Sequence, residues 1–169
     1  MAFMVRFWGV RGSIPTPGPQ THRYGGNTSC VEMEVDGVRY ICDAGSGIRE
    51  LGIELMSKSV APLRAHLFFS HMHWDHIQGF PFFKPVYVPK NHFTIWGPKT
   101  GDRRFARLLG GQMKSSYFPV DFQDLGGTIH ADDLNNGDRE VDGVRVRVFH
   151  QHHPGVSYAY RFEKNGVAV

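Results

Sequence analysis

Residues Ser70–Phe80 read SHMHWDHIQGF. His71, His73, Asp75 and His76 fall within six positions, directly after the apolar run LRAHLFF of residues 63–69. In an extended segment, residues i and i+2 point the same way. His71 and His73 can therefore reach one cation together. Asp75 and His76 come where the chain should turn toward a helix, and they can address a neighbouring position. Zinc takes imidazole and carboxylate ligands and is usually four-coordinate. One short segment can thus serve two adjacent ions, an arrangement that can clamp and activate a water. Surface histidines in a polar loop are the ordinary alternative. That reading suits a lone histidine better than an HxHxDH pattern between a buried strand and Gly79.

Outward from this stretch the chain reads as strand-rich with a few helices. Apolar content in LRAHLFF suggests a strand covered on both faces. Upstream, FMVRFWGV (Phe3–Val10) is a first strand, and the Gly- and Pro-dense residues 11–27 form a loop without regular structure. TSCVEMEV and VRYICDA flank Asp36-Gly37, the type I′ hairpin dipeptide. Gly45 and Gly47 then permit a tight turn into IRELGIELM, where Ile48, Leu51 and Leu55 have helical spacing. A GxG alone is no phosphate cradle. Downstream, NHFTIWG is a strand. DRRFARLLGGQM is a short helix with Asp102 as N-cap and Gly110 as stop, and Arg103, Arg104 and Arg107 form its solvated face. A second hairpin turns at Asp142-Gly143 into alternating Val144, Val146 and Val148. The segment VSYAYRFEKNGVAV is a strand, a turn at Asn165-Gly166 and the opening of another strand.

The length of 169 residues suits one domain spanning 1–169, and 41% hydrophobic with 21% charged residues permits a packed core. A net charge of +3 from scattered basic residues falls short of a nucleic-acid footprint. Nucleic acid is accordingly not expected as a partner. Cys30 and Cys42 lie on opposite sides of the first hairpin without a CxxC pair and are expected to be free thiols. There is no apolar leader or spanning run, so the protein is read as cytoplasmic with no membrane partner. Of ten histidines, seven fall at His71, His73 and His76, at His130, and at His150, His152 and His153. Strand alternation after VRVRVF places His150 and His152 on one face and His153 on the other, but the turn at Pro154 breaks that logic.

HMHWDH resembles the HxHxDH signature of the metallo-β-lactamase superfamily. In order, FWGVRGSIPTPG, YGGNTSC, ICDAGSGIRELG, FFSHMHWDHIQGFPFF and HHPGVSYAYRFE resemble segments of one branch. That branch contains cyclic-nucleotide phosphodiesterases and is related to the tRNA 3′-processing endonucleases. The resemblance implies an α/β (α+β) fold, the αββα sandwich, of which this chain covers the N-terminal half and the start of the second. It implies a metal-dependent hydrolase cleaving cyclic nucleotides or related small phosphodiesters, with two zinc ions, manganese and iron also suiting such donors. His71, His73 and His153 would hold one ion, His153 being preferred to His152 by its HPG context. Asp75 and His76 would hold the other, with Asp75 also orienting the nucleophile as the catalytic carboxylate. Asp43 would steady the metal loop, a strand-end cap being the plain alternative. Asn27 and Ser46 are read as structural, and Ser13 is given no nucleophilic role.

The family pattern also asks for a bridging aspartate and a last histidine. After His153 the sequence contains neither Asp nor His. The domain is therefore expected to be C-terminally incomplete, finished by a further segment or by a second copy of the chain. A non-catalytic domain for metal binding or assembly, and an RNA-processing nuclease, are the competing functions. Trp74 is weighed equally as a base-stacking or a packing residue. Phe82 and Phe83 are expected to pack beneath the site, and SSYFPV (115–120) is either a flap or a surface loop.

Overall fold

The computed structural model describes residues 3–58, 62–102 and 104–169. Arg103, assigned to a helix face from the sequence, lies outside them. Among the described residues ten strands form two sheets. The first runs in the order β1 (Met4–Gly9), β2 (Cys30–Val35), β3 (Val38–Cys42), β4 (Arg64–Phe68), β5 (His92–Pro98) and β6 (Thr128–Leu134). The second runs β10 (Val167–Ala168), β9 (Tyr158–Lys164), β8 (Val144–His150) and β7 (Gly137–Val141), all antiparallel.

The hairpin turns behave as their dipeptides dictate. Asp36 and Gly37 have φ of 50° and 80°, and Val35 pairs with Val38. Asp142-Gly143 and Asn165-Gly166 repeat this with positive φ at both residues. From β3 onward the first sheet is parallel, so each crossover needs a longer connection. Three helices lie in those connections: α1 (Gly47–Lys58), α2 (Trp74–Ile77) and α3 (Phe105–Gly110).

Period-2 alternation sorts the strands between two cores. Ile41, Leu67 and Ile95 face the helices and meet Ile48, Leu51, Leu55, Phe80, Phe83 and Phe105. Tyr40 and Phe68 face the second sheet and meet Val144, Val146, Val148 and Phe162. Strand β4 is thus covered on both faces. Helices, first sheet and second sheet make three layers, and the outer face of the second sheet carries the exposed Arg145 and Arg161. Cys30 belongs to the helix-side core and Cys42 packs toward the other, and both are free thiols.

Several local expectations need correction. Residues 11–27 contain a 3-10 turn at Pro19–Thr21 and a parallel bridge from Arg11 to Thr28. Strand β6 had no sequence signal: TIHADDL carries three polar residues on one face, and pairing with β5 overrides its weak strand propensity. Helix α3 begins at Phe105 rather than near Asp102, because Asp133 of β6 accepts the Phe105 N–H at 2.8 Å. The α-helix does end at Gly110, and the chain coils on as a 3-10 turn through Met113.

Candidate metal centre

The metal loop starts where β4 ends. Phe69 N–H bonds to Trp96 O, Tyr158 N–H to Ser70 O and Asp43 N–H to Phe68 O, at 2.8, 2.9 and 2.8 Å. These bonds tie the loop to both sheets and bring the β8–β9 connection alongside it. On the other side, Ala44 N–H bonds to His76 O and Gly79 N–H to Ala44 O. This approach explains two glycines in the motifs. A Cβ on Gly45 would lie 2.2 Å from Asp75 O, and one on Gly79 would lie 2.0 Å from Gly45 O. Only glycine lets the two loops touch backbone to backbone.

His71, His73 and His153 come together. One ring nitrogen from each lies within 4.8 Å of the others. Their ring centroids are 4.6, 4.5 and 5.0 Å apart for the pairs 71–73, 71–153 and 73–153. Zinc–nitrogen bonds of about 2.0–2.1 Å hold two ligand nitrogens no more than ~4.2 Å apart. Small side-chain rotations would close this cluster on one cation. His150 instead stacks edge-on against Tyr158 at the end of β8, and His152 is exposed outside the cluster. The chain leaves β8 after His150 and turns through Gly155, φ 85°, which returns His153 to the loop.

The tautomers suit metal donors. His153 Nδ1 donates to Pro154 O at 2.9 Å, leaving a lone pair on Nε2. Ser70 Oγ lies 3.0 Å from His71 Nδ1 while donating to Asp43, which leaves His71 Nε2 for the cluster. Burial, and then the neighbouring rings of His76, His73 and His153, push the His71 imidazole down to about 4 against the pull of Asp43. It is neutral at pH 7 and able to donate its lone pair.

Asp75 and His76 sit beside this cluster, the His76 ring 4.1 Å from that of His71. Asp75 Oδ2 accepts the Ser13 N–H at 2.8 Å and lies 3.4 Å from His76 Nε2. His76 Nδ1 donates to Asp43 Oδ2 at 2.6 Å. With that hydrogen committed, His76 Nε2 and Asp75 Oδ2 face each other as lone pairs, and a proton or a cation belongs between them. Burial opposes charge on His76, but Asp43 and then Asp75 raise its pKa above the ordinary value. Burial would raise Asp75, yet the Ser13 N–H and then His76 hold it below.

Asp43 is the hub beneath the site. Buried and with φ 63°, it accepts from Ser70 N, Ser70 Oγ, Ser29 Oγ and His76 Nδ1 at 2.7, 2.9, 3.2 and 2.6 Å. A strand-end cap would need none of the histidine contact. Ser46 Oγ bonds to Asn27 Oδ1 and accepts from Thr28 N–H, a purely structural knot. No residue pattern signals that Ser13, φ 75°, anchors Asp75 from 62 residues away. Around the site Trp74 is 65% exposed and Tyr117 of SSYFPV 77%. Phe83 is buried as expected, but Phe82 is 54% exposed, its ring edge-on to Phe118. No helix among the described residues is long and apolar enough to cross a membrane.

Compared with known proteins, the chain matches no family description. Among curated proteins it is 25% identical over 165 residues to Ribonuclease Z of Natronomonas pharaonis, covering 95% of this chain and 47% of that protein. It is 33% identical over 81 residues to Ribonuclease Z of Haloarcula marismortui, covering 48% of this chain and 23% of that protein. The chain thus spans about half or less of these relatives. Among solved structures, a diphosphatase of the PhnP family aligns with TM-score 0.67 at 15% identity, covering 95% of this chain and 62% of that one. The metallo-β-lactamase fold protein YhfI of Bacillus subtilis aligns with TM-score 0.62 at 16% identity, covering 98% and 59%. The short form of human tRNase Z aligns with TM-score 0.61 at 18% identity, covering 97% and 66%. The chain has the metallo-β-lactamase fold, as its motifs imply. The expectation that nucleic acid is no partner finds no support, because both curated relatives are named as ribonucleases.

Proposed function

We propose that this chain carries the metal-binding half of a metal-dependent phosphodiester hydrolase. The convergence of His71, His73 and His153 within 4.8 Å carries the reading. These three would hold one divalent ion, zinc by donor chemistry. Asp75 and His76 would contribute to an adjacent ion. A bound ion there would supply Lewis acidity, lowering the pKa of water and offsetting charge on phosphoryl oxygens.

The chain's own residues do the rest. Asp43 fixes the His76 ring and, through Ser70, the His71 ring. Ser13 turns the Asp75 carboxylate toward His76, where it can accept a hydrogen bond from an attacking water and hold it in line. The backbone bonds between the Ala44 and Gly79 segments keep these groups from separating as charge changes. A site held this rigidly spends little reorganisation on the reaction.

The substrate is a phosphodiester, either a small one such as a cyclic nucleotide or an RNA strand. The relatedness to Ribonuclease Z favours RNA. The exposed Trp74 and Phe82 suit a nucleobase of either. Metal analysis together with turnover of bis(p-nitrophenyl) phosphate tests the hydrolase, with His71→Ala as control. A tRNA precursor with a 3′ extension, set against cyclic nucleotides, ranks the substrates. Failure to bind a divalent ion, or metal content unchanged by His71→Ala, would overturn the proposal.

A further inference from the structure

The strands that deliver the metal loop carry a second polar group at their other ends. Arg64 aligns with His92 and Thr128, and one pleat along, His66 aligns with Thr94 and His130. By alternation all six share the sheet face that farther along bears Phe68 and Trp96. There the second sheet covers it. At the strand starts it opens into a cavity of about 310 Å³, walled by Asp142 of the β7–β8 turn and by Gly37 and Val38.

We propose that this cavity binds a phosphoryl group, that of inorganic phosphate or of a small phosphate monoester. Arg64, His92 and the two threonine hydroxyls would grip its oxygens, with the His66 and His130 rings at its sides.

A shared metal ion does not suit this geometry. Adjacent strands lie about 4.8 Å apart, so His66 and His130, with β5 between them, stand ~9.6 Å apart at the backbone. Among the described residues, the donor atoms here do not converge as those of the metal centre do. That spacing matches a tetrahedral anion gripped from several sides. Hydroxyl, guanidinium and imidazole are all donors, and Arg64 brings permanent charge. Among the described residues no side-chain hydrogen bond or ion pair engages Arg64 or His92. Lys90 joins the same two in a shallow neighbouring depression.

An ordinary solvated sheet face would also be polar, but His66 does not fit that account. Its side chain is only 15% exposed, and its ring is stacked on Tyr40 with centroids 5.5 Å apart. Asp142 holds its Nε2 at 2.9 Å, while its Nδ1 is buried without a partner. Buried polar atoms are rarely left so. Nδ1 is closed to solvent, so a phosphoryl group in the cavity would meet it only if the ring turned away from Asp142. Asp132 similarly holds His130 Nε2 at 3.2 Å. The two carboxylates thus face imidazoles and leave Arg64 uncompensated. The volume lies at the lower end of the ~300–1,000 Å³ of small-molecule sites, which limits the ligand to a few heavy atoms beyond phosphate.

Amide-resolved NMR of the metal-loaded 169-residue chain tests this, with inorganic phosphate, glycerol phosphate and succinate as probes. Phosphate should shift the Thr94, Thr128 and His130 amides saturably. Arg64→Gln and His130→Gln should each weaken that response about tenfold without altering the rest of the spectrum. Any response around His71 reports phosphate at the metal and should persist in both variants. Tighter binding of glycerol phosphate would assign the site to a monoester, and tighter inorganic phosphate to the free ion. Shifts confined to the metal loop, a response unchanged in both variants, or succinate binding as well as phosphate would overturn the proposal.

Discussion

Strand β4 has a group of histidines at each end, and they are built on different principles. At its C-terminal end the rings of His71, His73 and His153 come from two loops and crowd within 4.8 Å. Toward its N-terminal end His66 stands on the strand itself, with His92 on the adjacent β5 and His130 on β6 beyond it. The two ends lie only about 16 Å apart, five residues at ~3.3 Å each. Loops can aim side chains at a single point. A sheet spaces them by its pleat and strand separation and so presents a row. The same residue type therefore gives a point-like site suited to a cation at one end and a broad donor surface at the other.

The largest expected effect breaks the upper group as a unit. His71→Ala, His73→Ala or His153→Ala should each lower metal affinity by more than the 10–100-fold typical of losing an outer partner. Any two together should cost scarcely more than one, because residues sharing one ion are not additive. Metal content by elemental analysis reads both outcomes. Near-additive losses would mean that the three rings do not share an ion.

Next in size is the link between the two ends. Phe68 is fully buried on β4 against Trp96, Tyr160 and Phe162, with ring centroids 5.8, 5.4 and 5.2 Å away. Phe68→Ala should cost about 3–5 kcal/mol in urea unfolding. In the fraction that stays folded, it should loosen the metal centre and the lower row together.

Asp43→Asn should act on the upper end alone. Asparagine keeps the size but removes the charge and one acceptor, stranding a donor among Ser70, Ser29 and His76. Metal affinity should fall about 10–100-fold and stability by about 1–3 kcal/mol, with the lower row unaffected. A metal affinity equal to that of the unaltered chain would reduce Asp43 to a strand cap.

These sites differ in how far they can be read from sequence. His71 and His73 are two apart in an extended loop, so local geometry alone sets them together. His153 needed the HPG resemblance, since alternation along β8 argues against it and only the turn through Gly155 corrects the direction. Asp43 is expected beside the site but not as the meeting point of four donors, because its partners come from two segments distant from it in sequence. The Ser13–Asp75 bond is a backbone contact between distant loops, and no residue type announces it. The lower row was illegible for a related reason. It depends on the parallel register of β4, β5 and β6, and β6 was itself unseen because its Asp and His residues look like loop. By contrast, both hairpins were fully legible, their Asp-Gly turns being local devices.

The smallest expected effect comes from a residue belonging to neither group, and it sets the floor for the comparison. Asp36 pairs with Lys164 at 3.0 Å, joining the β2–β3 turn to the end of β9, with the two side chains 42% and 20% exposed. An ion pair this open is worth about 0–1 kcal/mol. Asp36→Asn removes it but retains a residue that tolerates φ near 50°, and Asn-Gly suits a type I′ turn at least as well as Asp-Gly. The two effects oppose each other, so the unfolding midpoint should move little and metal content not at all. A fall in metal content here would show that the far hairpin governs the upper loop, and the two ends of β4 could then no longer be treated as independent.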